Sequence, residues 1–170
     1  MKNLKVNKSC KFYSALLVFC FSSVFTINAY AEDGAIRFSN NAFKQVTSKN
    51  TDGTVKYDYV EPKLVLPDDV ILYEITFENI SQQDISNIVV NNPIANNSRY
   101  RESSASGDST EITFSVDGEN FSSANTLTVK GAGGAAIRVK PEEYTAIRWV
   151  YKNTLKPGEK GKVTYKTVIK

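Results

Sequence analysis

Oxygen-bearing side chains gather on one predicted turn of the sequence, residues 117–120 (DGEN). Carboxylate and amide oxygens are the ligands that calcium prefers, and Asp52 lies on a second Asp-Gly turn. A calcium ion takes about six to eight oxygen ligands, and the sequence lacks the spaced acidic residues of a known calcium-binding loop. We keep Asp117, Glu119 and Asn120 as candidate calcium ligands, with ordinary Asp-Gly turns as the alternative interpretation.

The side chains that most often perform catalysis are scarce. The sequence contains no histidine, and its two cysteines are Cys10 and Cys20. A hydrolytic triad therefore lacks its usual base, and zinc or copper sites lack His and Cys ligands in the rest of the chain. The neighbours Asp68 and Asp69 point apart in a strand or turn, as do those at 142–143, so neither pair forms a shared acid–base site. We expect no enzyme activity and no cofactor other than calcium.

Two further motifs have both a binding and a structural interpretation. Residues 131–134 (GAGG) lack the Lys-Ser/Thr and the helix that follow a phosphate-binding loop, so we expect a flexible loop there. Trp149 alternates with Ile147 and Tyr151, which is typical of a core aromatic residue in a β-sandwich. An exposed Trp149 that stacks on a sugar is the alternative.

Residues 1–31 have the pattern of a secretory signal peptide. Four lysines and no acidic residue accompany an apolar run over residues 12–25, and Ala29 and Ala31 are the small residues that a signal peptidase reads. The apolar run is shorter than the roughly 20 residues that span a bilayer. We therefore expect cleavage after Ala31, export to the periplasm, cell surface or medium of a bacterium, and no transmembrane anchor in the mature chain.

The predicted cleavage changes the charge of the protein. The whole chain has 21 basic and 18 acidic residues, a net charge of +3. Without the four lysines of the signal, 17 basic and 18 acidic residues remain, a net charge of −1. A chain with this balance has no electrostatic reason to bind nucleic acid or an anionic membrane.

Alternation of apolar and polar residues, interrupted by turn motifs, predicts about seven to nine short strands. The clearest covers residues 70–78, where Ile71, Tyr73, Ile75 and Phe77 would face the core. We predict separate strands at 36–38 and 43–48, a strand at 85–90 that ends before Pro93, and one helical turn at 141–144. The predicted fold is an all-β, two-sheet antiparallel sandwich with Greek-key connections, forming one domain over residues 32–170.

The last predicted strand, residues 162–169, alternates lysine with apolar side chains. Lysines on an edge strand prevent uncontrolled pairing with another chain. We therefore predict that this strand lies at a sheet edge and that the protein is a monomer.

Four segments resemble one known family. They are residues 66–70 (LPDDV), 71–79 (ILYEITFEN), 88–94 (IVVNNPI) and 155–159 (LKPGE), within a region of roughly 64–170 that follows an N-terminal hairpin part, 32–63. Together they resemble the domain of unknown function eleven (DUF11), an immunoglobulin-like module of bacterial exported and surface proteins. The family usually has Gly and Asp where this chain has Asp68 and Asn92. The resemblance implies an immunoglobulin-like sandwich.

These observations favour a non-catalytic exported module with a structural or protein-binding role. Its partner would be a protein or another component of the cell envelope, recognised by sheet edges and by loops such as 103–109 and 131–134. The alternative is a small exported protein that binds carbohydrate or calcium, with Asp117, Glu119 and Asn120 as the calcium ligands.

Overall fold

A computed structural model describes residues 35–170, whose regular secondary structure is β-strand apart from two single 3-10 turns, Ala132–Gly134 and Pro141–Glu143. The predicted signal peptide, with Ala29 and Ala31, lies outside the described residues. Among the residues described, none belongs to a helix long and apolar enough to cross a membrane. The strands in chain order are β1 (Ile36–Lys49), β2 (Val55–Val60), β3 (Val70–Asn79), β4 (Val89–Pro93), β5 (Ser98–Tyr100), β6 (Ser106–Gly107), β7 (Thr110–Ser115), β8 (Thr128–Lys130), β9 (Ala136–Arg138), β10 (Ala146–Tyr151) and β11 (Lys160–Ile169).

The strands form two antiparallel sheets of unequal width. The larger sheet has the order β2-β1-β3-β11-β5, with β6 also paired to β11, and the smaller has the order β4-β10-β7. Strands β8 and β9 form a separate ribbon. Phe77 and Val163 of the larger sheet pack in one core with Ile147 and Trp149 of the smaller, and each is at most 1% exposed. The predicted all-β class is confirmed, and the packing is that of a sandwich.

Strand β3 follows its predicted pattern. Ile71, Ile75 and Phe77 are buried on the core-facing side, and Tyr73 stacks on Tyr165 of β11 with 4.8 Å between the ring centroids. Glutamates occupy the opposite side, where they meet lysines of the neighbouring strand. Period-two alternation alone therefore identified which side of β3 faces the core.

Strand β1 is continuous, so the prediction of two strands at residues 36–38 and 43–48 is wrong. Its first part, residues 36–44, pairs with β3, and residues 44–49 pair with β2. The polar residues in the middle, Asn40 and Asn41, are exposed, so the strand crosses them without burying an unpaired amide. The turn to β2 has Gly53 at φ 83°, as the predicted hairpin requires.

Strand β4 begins and ends later than the predicted strand at residues 85–90. Ile85 makes only an isolated bridge to Leu155, and β4 includes Pro93. Ile94 donates its backbone N–H to the Thr145 carbonyl. The backbone N–H and C=O groups of even-numbered residues of β4 therefore point to β10, and those of odd-numbered residues point away from it. Proline is tolerated at 93 because its nitrogen lies on the side of β4 that has no neighbouring strand.

Strand β11 is an interior strand, so the prediction that its lysines protect a sheet edge is wrong. It lies between β3 on one side and β5 and β6 on the other. Lys162 pairs with Glu74 at 3.1 Å, and the Lys166 ammonium lies 5.1 Å from the ring centroid of Tyr59. The lysine pattern of this strand reflects contacts on the outer side of the sheet and does not bear on the oligomeric state.

A close approach between β3 and β11 explains one glycine. Gly161 lies directly opposite Phe77, whose ring covers the space that a side chain at 161 would occupy. A Cβ at this position would overlap the Cζ and Cε2 atoms of the ring. While Phe77 keeps its place, no residue other than glycine therefore fits at position 161.

The Gly161→Ala variant should lose about 1–3 kcal/mol of unfolding free energy, because the added methyl group must displace the Phe77 ring from the core. In a Phe77→Leu background the same change should cost less, since the smaller side chain leaves room. Urea denaturation of the four proteins measures the coupling. An equal loss in both backgrounds would show that the ring is not the cause.

Candidate functional site

The candidate calcium ligands form a self-contained turn. The Asp117 carboxylate accepts hydrogen bonds from the backbone N–H of Glu119 at 2.9 Å, from the backbone N–H of Asn120 at 2.8 Å and from the Ser115 hydroxyl at 2.8 Å. Its second oxygen accepts the side-chain N–H of Asn120 at 2.8 Å. These bonds, first that from the Asn120 side chain, lower the pKa of Asp117. Donors therefore surround the carboxylate where a cation would have to bind.

The other candidate carboxylates also act within turns. Asp52 accepts the backbone N–H of Thr54 at 2.9 Å and its hydroxyl at 2.6 Å. Asp69 pairs with Lys44 at 2.6 Å, whereas its neighbour Asp68 lies 3.4 Å from Arg99, so these two carboxylates serve different partners. Within residues 35–170 no group of three or more Asp, Glu, His or Cys side chains is arranged to hold a metal ion.

Trp149 is a core residue. It is 0% exposed and lies 5.9 Å from Tyr165 of the opposite sheet, measured between ring centroids. The core interpretation is confirmed, and a sugar cannot stack on this side chain.

Loops at one end of the sandwich enclose a pocket of about 480 Å³, which we call the loop pocket. Its size falls within the range of small-molecule sites. Its floor is a buried aromatic cluster in which Phe114 and Tyr144 stack with 4.6 Å between ring centroids and Tyr100 lies 5.2 Å from Phe114. Its rim includes Glu102, Ser103, Asn125 and Arg138.

The aromatic floor also holds one of the predicted recognition loops. The Tyr100 hydroxyl accepts the backbone N–H groups of Ser104 at 3.2 Å and Ala105 at 3.0 Å, which anchors the start of loop 103–109 over the pocket. Ser103 has φ 58°, an uncommon conformation for a residue other than glycine. The second predicted loop, 131–134, lies at the turn of the β8–β9 ribbon and does not line the pocket.

Two side chains of opposite charge, Arg138 and Glu102, line the rim of the loop pocket without pairing. Arg138 donates to the Asn125 side-chain oxygen at 3.0 Å, and neither Arg138 nor Glu102 forms a salt bridge with another of residues 35–170. Burial raises the pKa of Tyr144, as does Tyr100; Arg138 opposes that rise and Glu102 adds to it. The pocket thus offers hydrogen-bond donors and acceptors above apolar rings.

A second site lies at the side of the sandwich, beyond β4, the last strand of the smaller sheet. We call it the open-edge groove: a space of about 420 Å³ lined by Phe38, Ser39 and Asn40 of β1, Ile75 of β3 and residues 89–92 of β4. None of these side chains is ionisable. Sequence reasoning missed this site because no single segment of the chain contains it.

Phe38 shows that the core is uncovered at the groove. It lies directly opposite Phe77 in the larger sheet, so both side chains are on the core-facing side. Phe77 is 1% exposed, whereas Phe38 is 52% exposed. The difference arises because the smaller sheet ends at β4, and no described strand covers β1.

Both walls of the groove carry unpaired backbone groups. Ile80 donates its N–H to the Ala35 carbonyl, so the backbone N–H and C=O groups of odd-numbered residues of β1 point to β3. The backbone groups of Ile36, Phe38, Asn40 and Ala42 therefore face outward, before the part of β1 that β2 covers. On the other wall, the odd-numbered residues of β4 face away from β10. Among residues 35–170, these two free edges lie beside the same apolar space.

Comparisons of the chain with family models, with curated proteins and with solved structures each found no match. The groove and the loop pocket are therefore candidate sites on the grounds of their geometry alone.

The Asp117→Asn variant should respond less to acid than the original protein. Because folding lowers the pKa of Asp117 below its usual value of 3.8, the carboxylate stabilises the fold above about pH 4, and this contribution is lost as the pH falls further. An asparagine can accept some of the same hydrogen bonds but does not titrate. The fall in Tm between pH 6 and pH 3 should therefore be smaller in the variant.

A matched control for this experiment is Glu119→Gln, which removes a charge from the same turn. The Glu119 side chain makes no hydrogen bond within the described residues, so its variant should show the acid response of the original protein. Equal responses in all three proteins would contradict the role assigned to Asp117.

Proposed function

We propose that this chain is a non-catalytic, exported module that binds a protein or another component of the bacterial cell envelope. The observation that carries the proposal is the open-edge groove, where Phe38 is on the core-facing side of a sheet and yet 52% exposed. Exposed apolar surface beside unpaired strand edges is typical of a binding surface. The periplasm and the cell surface are the proposed locations, after cleavage of the chain following Ala31.

We also propose that the chain is an immunoglobulin-like sandwich with Greek-key connections, related to the DUF11 family. The segments that carry the resemblance support this, since the turns before Val70 and Lys160 introduce two strands that pair with each other, β3 and β11. The chain crosses between the sheets after β3, β4, β6 and β10. One feature differs from a constant-type immunoglobulin domain: the last strand, β11, lies beside β3 and not in the sheet of β4 and β10.

Photocrosslinking in cells that produce the protein tests the binding role. A photoreactive p-benzoylphenylalanine at position 38 should form one discrete adduct with another protein chain, because the groove is the proposed contact. The same amino acid at Ile137 on β9 is a matched control, since both positions are 52% exposed. The proposal would be contradicted if position 38 gave no adduct, or if it gave the same adducts as position 137.

The second candidate function is the binding of a small carbohydrate, and the loop pocket favours it. Arg138 and Asn125 can donate hydrogen bonds to sugar hydroxyls, and Glu102 can accept them. The aromatic cluster beneath offers mainly ring edges, because its faces stack on one another. Calcium binding has no comparable support, since the Asp117 carboxylate is already surrounded by donors.

Thermal unfolding distinguishes this alternative. If the loop pocket binds a neutral monosaccharide, saturating sugar should raise the Tm by about 3–6 °C in the original protein and not in Arg138→Ala. Arg37→Ala is the control, because that exposed arginine lies outside the pocket. Millimolar calcium against EDTA should leave the Tm unchanged. A calcium-dependent rise would overturn the interpretation of the Asp117 turn, and no sugar effect would reject the carbohydrate alternative.

A further inference from the structure

We propose that the open-edge groove binds one extended, uncharged segment of another protein, which pairs with β4 as a fourth strand of the smaller sheet. This inference rests on the proposed binding function and specifies its partner. It concerns the mode of contact, main-chain hydrogen bonding, and the side chains that the partner must present.

The space beside β4 suits a strand. Neighbouring strands in a sheet lie about 4.8 Å apart, and two packed sheets lie about 10 Å apart. The smaller sheet ends at β4, while the larger sheet continues through β1 to β2. A strand added to β4 would lie over the first part of β1 and cover Phe38, completing the core on this side.

The hydrogen-bonding groups on β4 define where the pairing ends. Val89 and Asn91 each direct an N–H and a C=O away from β10. Pro93 has no N–H, and its carbonyl already accepts the side-chain N–H of Asn92 at 2.9 Å. The partner strand therefore pairs with residues 89–91 and has no regular hydrogen bond at Pro93.

The lining determines the chemistry of the partner. Side chains that face the larger sheet would meet Phe38 and Ile75, which favours apolar residues at alternate positions. A charged residue there would lose its hydration without a counter-charge, because the lining contains no ionisable side chain. The exposed side chain of Asn40 has no hydrogen-bond partner among residues 35–170, so it can bind one serine or threonine of the partner.

A second copy of the chain matches this chemistry less well. Among the described strands, β2, β8 and β9 also have a free edge and exposed apolar side chains, such as Tyr57, Val129 and Ile137. Each of the three carries charge: Lys56 and Asp58 of β2 form a salt bridge at 2.7 Å, β8 ends at Lys130 and β9 ends at Arg138. A neutral segment of a different protein is therefore the committed occupant, and a dimer is an outcome of the test.

Amide hydrogen exchange tests the inference with a defined probe. The probe is a ten-residue peptide with a central Thr-Val-Thr-Val-Thr-Val segment, added at millimolar concentration to the protein purified from cells that produce it. We expect the Val89 and Asn91 amides to exchange at least about tenfold more slowly, as for newly paired strand amides. Two matched peptides should give no protection: one N-methylated along its pairing edge, and one with aspartate in place of valine.

A protein variant checks the same point from the other side. Val89→Pro removes one outward N–H but keeps the ladder to β10, because odd-numbered nitrogens of β4 face the free edge. This variant should bind the peptide at least about tenfold more weakly, as loss of a pairing donor predicts. The N-methylated peptide gives an independent answer if the variant fails to fold.

The outcomes separate the inference from the proposed function. If position 38 crosslinks to a partner but the plain peptide protects neither amide, or the N-methylated peptide binds equally well, strand pairing is wrong and the binding role stands. If neither crosslinks nor protection occur, both are wrong. If the adduct at position 38 is a dimer of this chain, the occupant proposed here is wrong.

Discussion

The contact between the two sheets is the interaction on which the rest of the structure depends. Residues 35–170 contain no cysteine, so no disulfide holds them together, and the burial of Phe77, Trp149 and Tyr165 between the sheets must stabilise the fold. The pKa of Tyr165 reflects this burial. Loss of hydration raises the pKa most and Tyr73 raises it further, whereas a hydrogen bond from Asn92 lowers it. The same contact fixes which side of each strand faces inward.

The unequal width of the sheets follows from this packing and creates the groove. The smaller sheet has three strands. The core is fully buried beneath its middle strand, β10, and the cover ends at its edge strand, β4. Beyond β4, the core-facing side of β1 meets no described strand, and an aromatic side chain in the position of a core residue is left exposed. The proposed binding surface thus arises from an unfinished core and needs no specialised side chains.

The polar residues that suggested chemistry mostly stabilise turns. Asp117 and Asp52 accept hydrogen bonds from the residues that follow them. Asn79 is 0% exposed and satisfies its amide by donating to the carbonyls of Gln83 and Leu155 and by accepting from Ser81. In a fold made of short strands, each reversal leaves backbone donors and acceptors that side chains must satisfy. Residue type alone does not separate such a role from metal binding.

The sequence by itself determined the all-β class, the inward side of β3, the hairpin at Gly53 and the buried position of Trp149, because each depends on local alternation or on turn chemistry. It did not determine the neighbours of a strand. The lysines of β11 were compatible with either an edge or an interior strand. Pro93 was compatible with an edge strand in which the proline nitrogen points away from the sheet. Phe38 was, in the sequence, an ordinary apolar residue. Only the tertiary structure decided these points, since pairing between strands distant along the chain depends on how both sheets share one core.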